Sequence, residues 1–305
     1  MKKYLFLFLL FPLWTFAQQD AYLSNYQFQM SLLNPAYVGS EGQQSFALTT
    51  RNQWAQMEDS PKTIAFSYGS DRGKNVGLGI SMISDQIFVE KQTQINIDFS
   101  YKLTLSNEAL LYLGLKTGGN SYRSNPVDLN SYMAIDPAKK ALSRFNPNFG
   151  IGAFYQYKTF WLSASIPRLI ESKRDDDVNL MARDRIHFYF ATGGNFPLNE
   201  KFSLLPSLIY RKGKGINAVS DLSLKVDYQN RFEGGFAYRT NTIWSIQATF
   251  HINNTLSLAY AYDTYLDNPL SGLNLKAHEI GLRFKLGNNV LEEPKETEDS
   301  EDIKE

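Results

Sequence analysis

From about residue 45 onward, apolar and polar residues alternate along this chain in short segments. Residues 94–103 show the pattern well. Ile95, Ile97, Phe99, Tyr101 and Leu103 share one face, while Gln94, Asn96, Asp98, Ser100 and Lys102 share the other. A period of two predicts strands. Fourteen are predicted, near 45–54, 62–69, 75–84, 92–104, 108–118, 147–157, 159–166, 186–196, 201–210, 219–228, 231–239, 243–252, 255–263 and 277–286. Most have the length of a strand that crosses a bilayer at a tilt, and an even count suits a bacterial outer-membrane barrel. A soluble β-sandwich also alternates, so the period alone leaves both readings open.

The connections separate the two. With strand one running outward, the even-numbered connections are Ser70–Lys74, Leu105–Asn107, Lys158, Pro197–Glu200, Gln229–Asn230 and Asn253–Asn254. They are short and mostly built from turn-forming residues. The odd-numbered ones include the long stretches 119–146, 167–185 and 264–276, with only the one near Arg239–Thr242 short. Short turns on one side and long loops on the other mark an outer-membrane barrel. In that frame the apolar face meets lipid. Leu222, Leu224, Val226 and Tyr228 point outward, and Asp221, Ser223, Lys225 and Asp227 point into the lumen.

The predicted fold is therefore all-β: a transmembrane antiparallel barrel of about 14 strands over 45–287. Residues 1–17 read as a cleaved signal peptide. Lys2 and Lys3 precede an apolar core, and Thr15-Phe16-Ala17 offers a cleavage site. As an uncleaved membrane helix the segment is short. Residues 18–44, with Tyr22, Tyr26, Phe28, Leu32 and Leu33, read as a short helix or plug in the lumen or at its periplasmic mouth. Both termini are expected on the periplasmic side. Residues 288–305 form an acidic tail whose segment 292–305 carries eight acids against two lysines. It reads as a solvated disordered end, or as a contact for a basic periplasmic partner. The last strand closes on Glu279-Ile280-Gly281-Leu282-Arg283-Phe284-Lys285-Leu286, similar to the insertion signal of outer-membrane barrels.

Composition narrows the chemistry. Thirty-one basic residues balance thirty-one acidic ones, which argues against a nucleic-acid partner. With no cysteine, disulfides and thiolate metal sites are excluded. Aromatic residues make up 14% of the chain and suit strands and membrane interfaces. His187, His251 and His278 stand apart from any Ser-His or Asp-His arrangement, so no catalytic residue is assigned. Asp175-Asp176-Asp177 lacks the glycine and terminal glutamate of a calcium loop, so no metal site is assigned. No cofactor is implied. Gly77-Leu78-Gly79 and Gly150-Ile151-Gly152 lie on strands and read as places where lumen contents pack closely or the wall kinks.

Four pieces of the N-terminal part occur in a telling order. They are Ser24-Asn25-Tyr26-Gln27-Phe28 with Leu33-Asn34-Pro35-Ala36-Tyr37-Val38-Gly39, then Arg51-Asn52-Gln53-Trp54, then Pro61-Lys62-Thr63, then Asn75-Val76-Gly77-Leu78-Gly79-Ile80-Ser81 with Ser84-Asp85. In these pieces the chain resembles the PorP/SprF family of Bacteroidetes outer-membrane proteins, associated with type IX secretion and gliding motility. The resemblance implies a non-catalytic role: helping to deliver or retain a type IX substrate, such as a secreted gliding adhesin, at the cell surface. It also implies links to periplasmic ring and motor components. Asn34, Pro35, Tyr37, Gly39, Arg51, Gln53 and Trp54 carry over as motif positions. Their alternative reading is structural, with Asn-Pro as a turn and Arg51 with Trp54 locking the plug to the first strand. An outer-membrane channel for small or hydrophobic solutes is the competing function, and a barrel-embedded hydrolase is a third.

Overall fold

The computed structural model describes residues 22–54, 57, 59–125, 141–173, 183–215, 217–240, 243–265 and 276–287. The proposed signal peptide, the aspartate run at 175–177 and the acidic tail lie outside them.

Fourteen strands build one wall. They are β1 (Gln44–Gln53), β2 (Lys62–Asp71), β3 (Val76–Ile87), β4 (Glu90–Thr104), β5 (Ala109–Ser124), β6 (Leu142–Tyr157) and β7 (Phe160–Ile166) in the first half. The second half has β8 (His187–Gly194), β9 (Phe202–Gly213), β10 (Val219–Tyr228), β11 (Phe232–Arg239), β12 (Ile243–His251), β13 (Leu256–Tyr265) and β14 (Lys276–Leu286). Each pairs antiparallel with its neighbours in sequence. β1 also pairs with β14, from Gln44↔Leu286 to Gln53↔Ala277, and this closes the ring. Closure is what lipid demands, because an open edge would leave backbone groups unsatisfied. Among the described residues no helix is long and apolar enough to cross a membrane.

Burial is inverted relative to a soluble protein. Ile97, Leu222 and Leu224 are 58%, 59% and 51% exposed, whereas Asp98, Asp221, Ser223, Lys225 and Asp227 are buried. The alternation thus sorts lipid-facing from lumen-facing side chains. The short turns follow their residues too: Gln229 and Asn230 have φ of 52° and 53°, the two positive values of a type I′ hairpin turn.

Strands β3 to β6 run farther at the long-loop end than predicted. β5 extends to Ser124 and β6 starts at Leu142, so the loop between them is shorter than 119–146. β3 and β4 meet across Phe88-Val89, which makes a second short connection at the end where only 239–242 was expected to be short. The physical reason is that the added residues lack the alternation: outward positions there include Lys91, Ser121, Arg123 and Ser143, with Phe145 the apolar exception, so the periodic signal fades while pairing continues.

Candidate functional site

The lumen is filled by the chain's own N-terminal segment. It holds two 3₁₀ turns, Tyr26–Leu32 and Pro35–Tyr37, and joins β1 at the short-turn rim. Irregular backbone is tolerated at this depth only where protein satisfies it, and the wall's inward polar side chains contribute. Gln247 donates to Ser24 O (2.9 Å), and in the opposite direction the segment's Gln29 donates to Ala47 O of the wall (2.8 Å). Lys116, paired with Asp98 at 2.6 Å, donates to Ser31 O (3.2 Å). Ser165 donates to Leu33 O (2.8 Å), while Ser100 and Arg283 donate to Val38 O and Phe28 O.

Asn34, Pro35, Tyr37 and Gly39 form the seat. Asn34 is fully buried and caps the second turn, accepting from Ala36 N at 2.9 Å. Its amide donates to Ala153 O (2.9 Å) and Ser163 Oγ (2.8 Å), which ties the turn to β6 and β7. Pro35 opens the turn, where its fixed φ fits and its missing N–H is not needed. A Cβ at Gly152 would overlap Asn34 Oδ1, so that glycine is the space the asparagine occupies. Tyr37 stacks edge-on against Phe154 (5.1 Å) and its hydroxyl donates to Glu41 Oε1 (3.2 Å). Gly39 has φ +80°, and a Cβ there would stand 2.8 Å from Gly77 Cα.

Arg51 holds the other end. Its guanidinium meets Asp263 at 2.6 Å and Glu279 at 3.3 Å, with all three side chains buried. It also donates to Ser24 Oγ (2.9 Å), whose own hydroxyl donates to Asp263 (2.5 Å). Glu279 accepts from Ser24 N (2.7 Å) and Asn25 N (3.0 Å). Gln53 and Trp54 are not brought to this cluster. They sit at the long-loop end of β1, where Gln53 N bonds Pro61 O (3.0 Å) and Trp54 N bonds Lys276 O (2.7 Å). Trp54 has φ 54°, unusual for a bulky residue.

The segment lies in the lumen, one of the two places expected for it. Tyr22 lies over Arg239, 3.3 Å from guanidinium carbon to ring centre, at the long-loop end of β11. Glu41 lies at the short-turn rim, against Lys285 (3.2 Å) and Arg283 (3.7 Å). The described chain therefore runs through the lumen from the long-loop end to the short-turn rim. Burial pushes the Glu41 carboxyl up, but Arg283 and Lys285 outweigh it and hold the group below the ordinary carboxylate range.

Two cavities flank the segment. One of about 260 Å³ is lined by Phe28, Tyr37, Trp161, Glu233, His251 and Arg283 among others. One of about 110 Å³ near the long-loop end is lined by Leu33, Asp85, Gln92, Asn96, Tyr122 and Arg168 among others. They share no lining residue. His251 bonds Ser257 (2.8 Å) and Glu233 (3.1 Å), and His278 bonds Tyr260 (2.8 Å). Among the described residues no group of three His, Asp or Glu could hold a metal. Sequence reasoning missed Ser24, Gln29, Ser163, Asp263 and Glu279 as anchors. The available signal was their inward position on strands, or, for Ser24 and Gln29, their place in the motif-bearing segment.

A closed antiparallel wall, apolar outside and polar inside, with a segment folded into its lumen, defines an outer-membrane β-barrel. A family model described as type IX secretion system membrane protein PorP/SprF matches residues 15–284. The chain belongs to that family. No curated protein matches it. Among solved structures, the toluene transporter TbuX of Ralstonia pickettii is similar at TM-score 0.52 and 9% identity, covering 83% of this chain and 92% of that one. A monoaromatic hydrocarbon channel, CymD, is similar at TM-score 0.51 and 11% identity, covering 85% and 91%. At such identities the likeness is one of fold alone.

Proposed function

We propose that this barrel is a non-catalytic helper of type IX secretion. In this reading it assists export or surface attachment of a partner such as a gliding adhesin, and its short-turn side faces periplasmic secretion or motor components. Export would follow from a signal peptide cleaved after Ala17. The observation that carries the reading is the anchored lumen segment. Polar side chains of the wall bind its backbone, and its own Gln29 and Asn34 bind wall carbonyls, as in a scaffold rather than an open pore. Deleting the gene is expected to remove one secreted protein from the cell surface and leave solute uptake unchanged. Full retention of every surface protein would sink the reading.

A channel for small or hydrophobic solutes is the second reading. It is favoured by the likeness to TbuX and CymD and by the 260 Å³ cavity with its Trp161 and Phe154 wall. Planar-bilayer recording separates the two: the scaffold reading expects no stable conductance from the purified barrel.

A further inference from the structure

A row of outward residues runs unbroken across six strands toward the long-loop end. Pairing sets Arg123 (β5) opposite Lys91 (β4), Lys91 opposite Gln86 (β3) and Gln86 opposite Lys62 (β2). Lys62 in turn stands opposite Asn52 (β1), and Asn52 opposite His278 (β14). All six side chains are exposed. Alternation puts them on the outer face, because Asp85, Gln92 and Tyr122 line the inner cavity and Arg51 is buried in the lumen. The row borders the apolar face. Exposed Ile64 and Ile280 lie one outward position below Lys62 and His278, and exposed Ile95 lies two below Lys91.

The charges of the row have one sign. Arg123, Lys91 and Lys62 are cations, Lys276 stands one outward position above His278, and no acid occurs among the six. Arg123 and Lys91 are directly opposite, a placement that destabilises a strand pair when the charges are alike. Among the described residues none of these four cations is ion-paired. The far half of the wall ends differently. β7 to β12 carry one outward cation, Lys212, and their outward positions at this end include Phe188, Tyr238 and Trp244. Aromatic residues are what any membrane wall shows at its interface. The cations are additional, and they are confined to the side of the wall between β14 and β5.

We infer that this row binds the phosphate headgroup of an anionic lipid in the outer leaflet, at the end that an outer-membrane barrel turns to the cell exterior. Guanidinium and ammonium groups are donors only, so a phosphate between Arg123 and Lys91 replaces their repulsion with charge-assisted hydrogen bonds. Lys62, Asn52 and His278 continue the strip for neighbouring headgroups. The acyl chains then lie on Ile95, Ile64 and Ile280, where the apolar face begins. A soluble phosphate would gain nothing from that face, so its continuity with the row favours a lipid. Such a site is independent of the secretion role proposed above.

The whole barrel in nanodiscs of phosphatidylcholine with a minor share of phosphatidylglycerol provides the test, with retained lipid counted by native mass spectrometry. Phosphatidylglycerol should be retained over phosphatidylcholine. Its retention should weaken about fivefold for each cation removed in Lys62→Gln, Lys91→Gln and Arg123→Gln. Lys212→Gln, on the far half, should change nothing. In phosphatidylcholine alone, Lys91→Gln should raise the urea midpoint by relieving the contact with Arg123, and phosphatidylglycerol should abolish that gain. Where a glutamine variant fails to fold, salt decides on the unaltered protein, because retention must fall as ionic strength rises. Equal retention of the two lipids, or an equal loss in Lys212→Gln, overturns the site. Displacement of the lipid by glycerol phosphate would make it a site for a soluble phosphate and overturn the lipid assignment.

Discussion

The wall and the segment inside it are held by different physics. Each wall strand needs only an apolar face toward lipid, a polar face inward and neighbours to pair with, so many sequences would serve at Leu222 or Ile97. The segment of residues 22–43 has no period of two, and its regular structure is two short 3₁₀ turns. It is placed by individual contacts: a guanidinium between two carboxylates, an asparagine in the space of a missing side chain, a tyrosine on a phenylalanine. Substitution should therefore be cheap on the wall and costly at the anchors, and the two regions should fail separately.

Arg51→Ala should give the largest effect. It would leave Asp263 and Glu279 buried without their cation, and breaking a buried ion pair from one side costs about 3–5 kcal/mol. The expected outcome is a lower urea midpoint for the reconstituted barrel, together with protease cleavage near Ser24. Gly152→Val comes next. Its side chain would take the place of Asn34 Oδ1, and overpacking of this kind costs about 1–3 kcal/mol. Because the clash falls on the segment and β6 keeps its pairing, the barrel should still show its folded electrophoretic mobility while bilayer recordings gain conductance. Loss of the folded band instead would mean that the segment and the wall are one cooperative unit.

This difference also decides what was legible beforehand. All fourteen strands follow from the period of two, and the predicted barrel closes as expected. The extensions of β5 and β6 escaped because Ser121, Arg123 and Ser143 hold outward positions without apolar side chains, so the period of two is not visible there. The family motif marked the segment, yet its path did not follow from the motif. Glu279 was visible only as part of a strand-end pattern, and its bonds to Ser24 and Asn25 join residues some 255 apart in sequence. Local pattern carries no information about such pairs.

A smaller effect is expected from acid. Glu41 has its carboxyl held down by Arg283 and Lys285, so its ionised form contributes stability above the ordinary carboxylate range. That contribution is lost as pH falls through the lowered value. The short-turn end of the segment should then loosen before the wall does, seen as a loss of amide-exchange protection (relative to the intrinsic rate at each pH) around Gly39–Glu41 below about pH 4. In Glu41→Gln the protection should already be lowered at neutral pH and change no further with acid.

The smallest effect should come from the wall, and it discriminates most cleanly. Leu222 is a large aliphatic residue on a central stretch of β10, 59% exposed on the outward face. If that face met protein or closed a soluble core, Leu222→Ala would cost about 2–5 kcal/mol. Against lipid the loss is only the transfer of a few methylene groups between similar surroundings, about 0.5 kcal/mol on an insertion scale. Urea midpoints of wild type and Leu222→Ala in the same bilayer should therefore nearly coincide. A shift as large as that of Arg51→Ala would mean that the outward face of β10 is covered by a protein partner rather than by lipid.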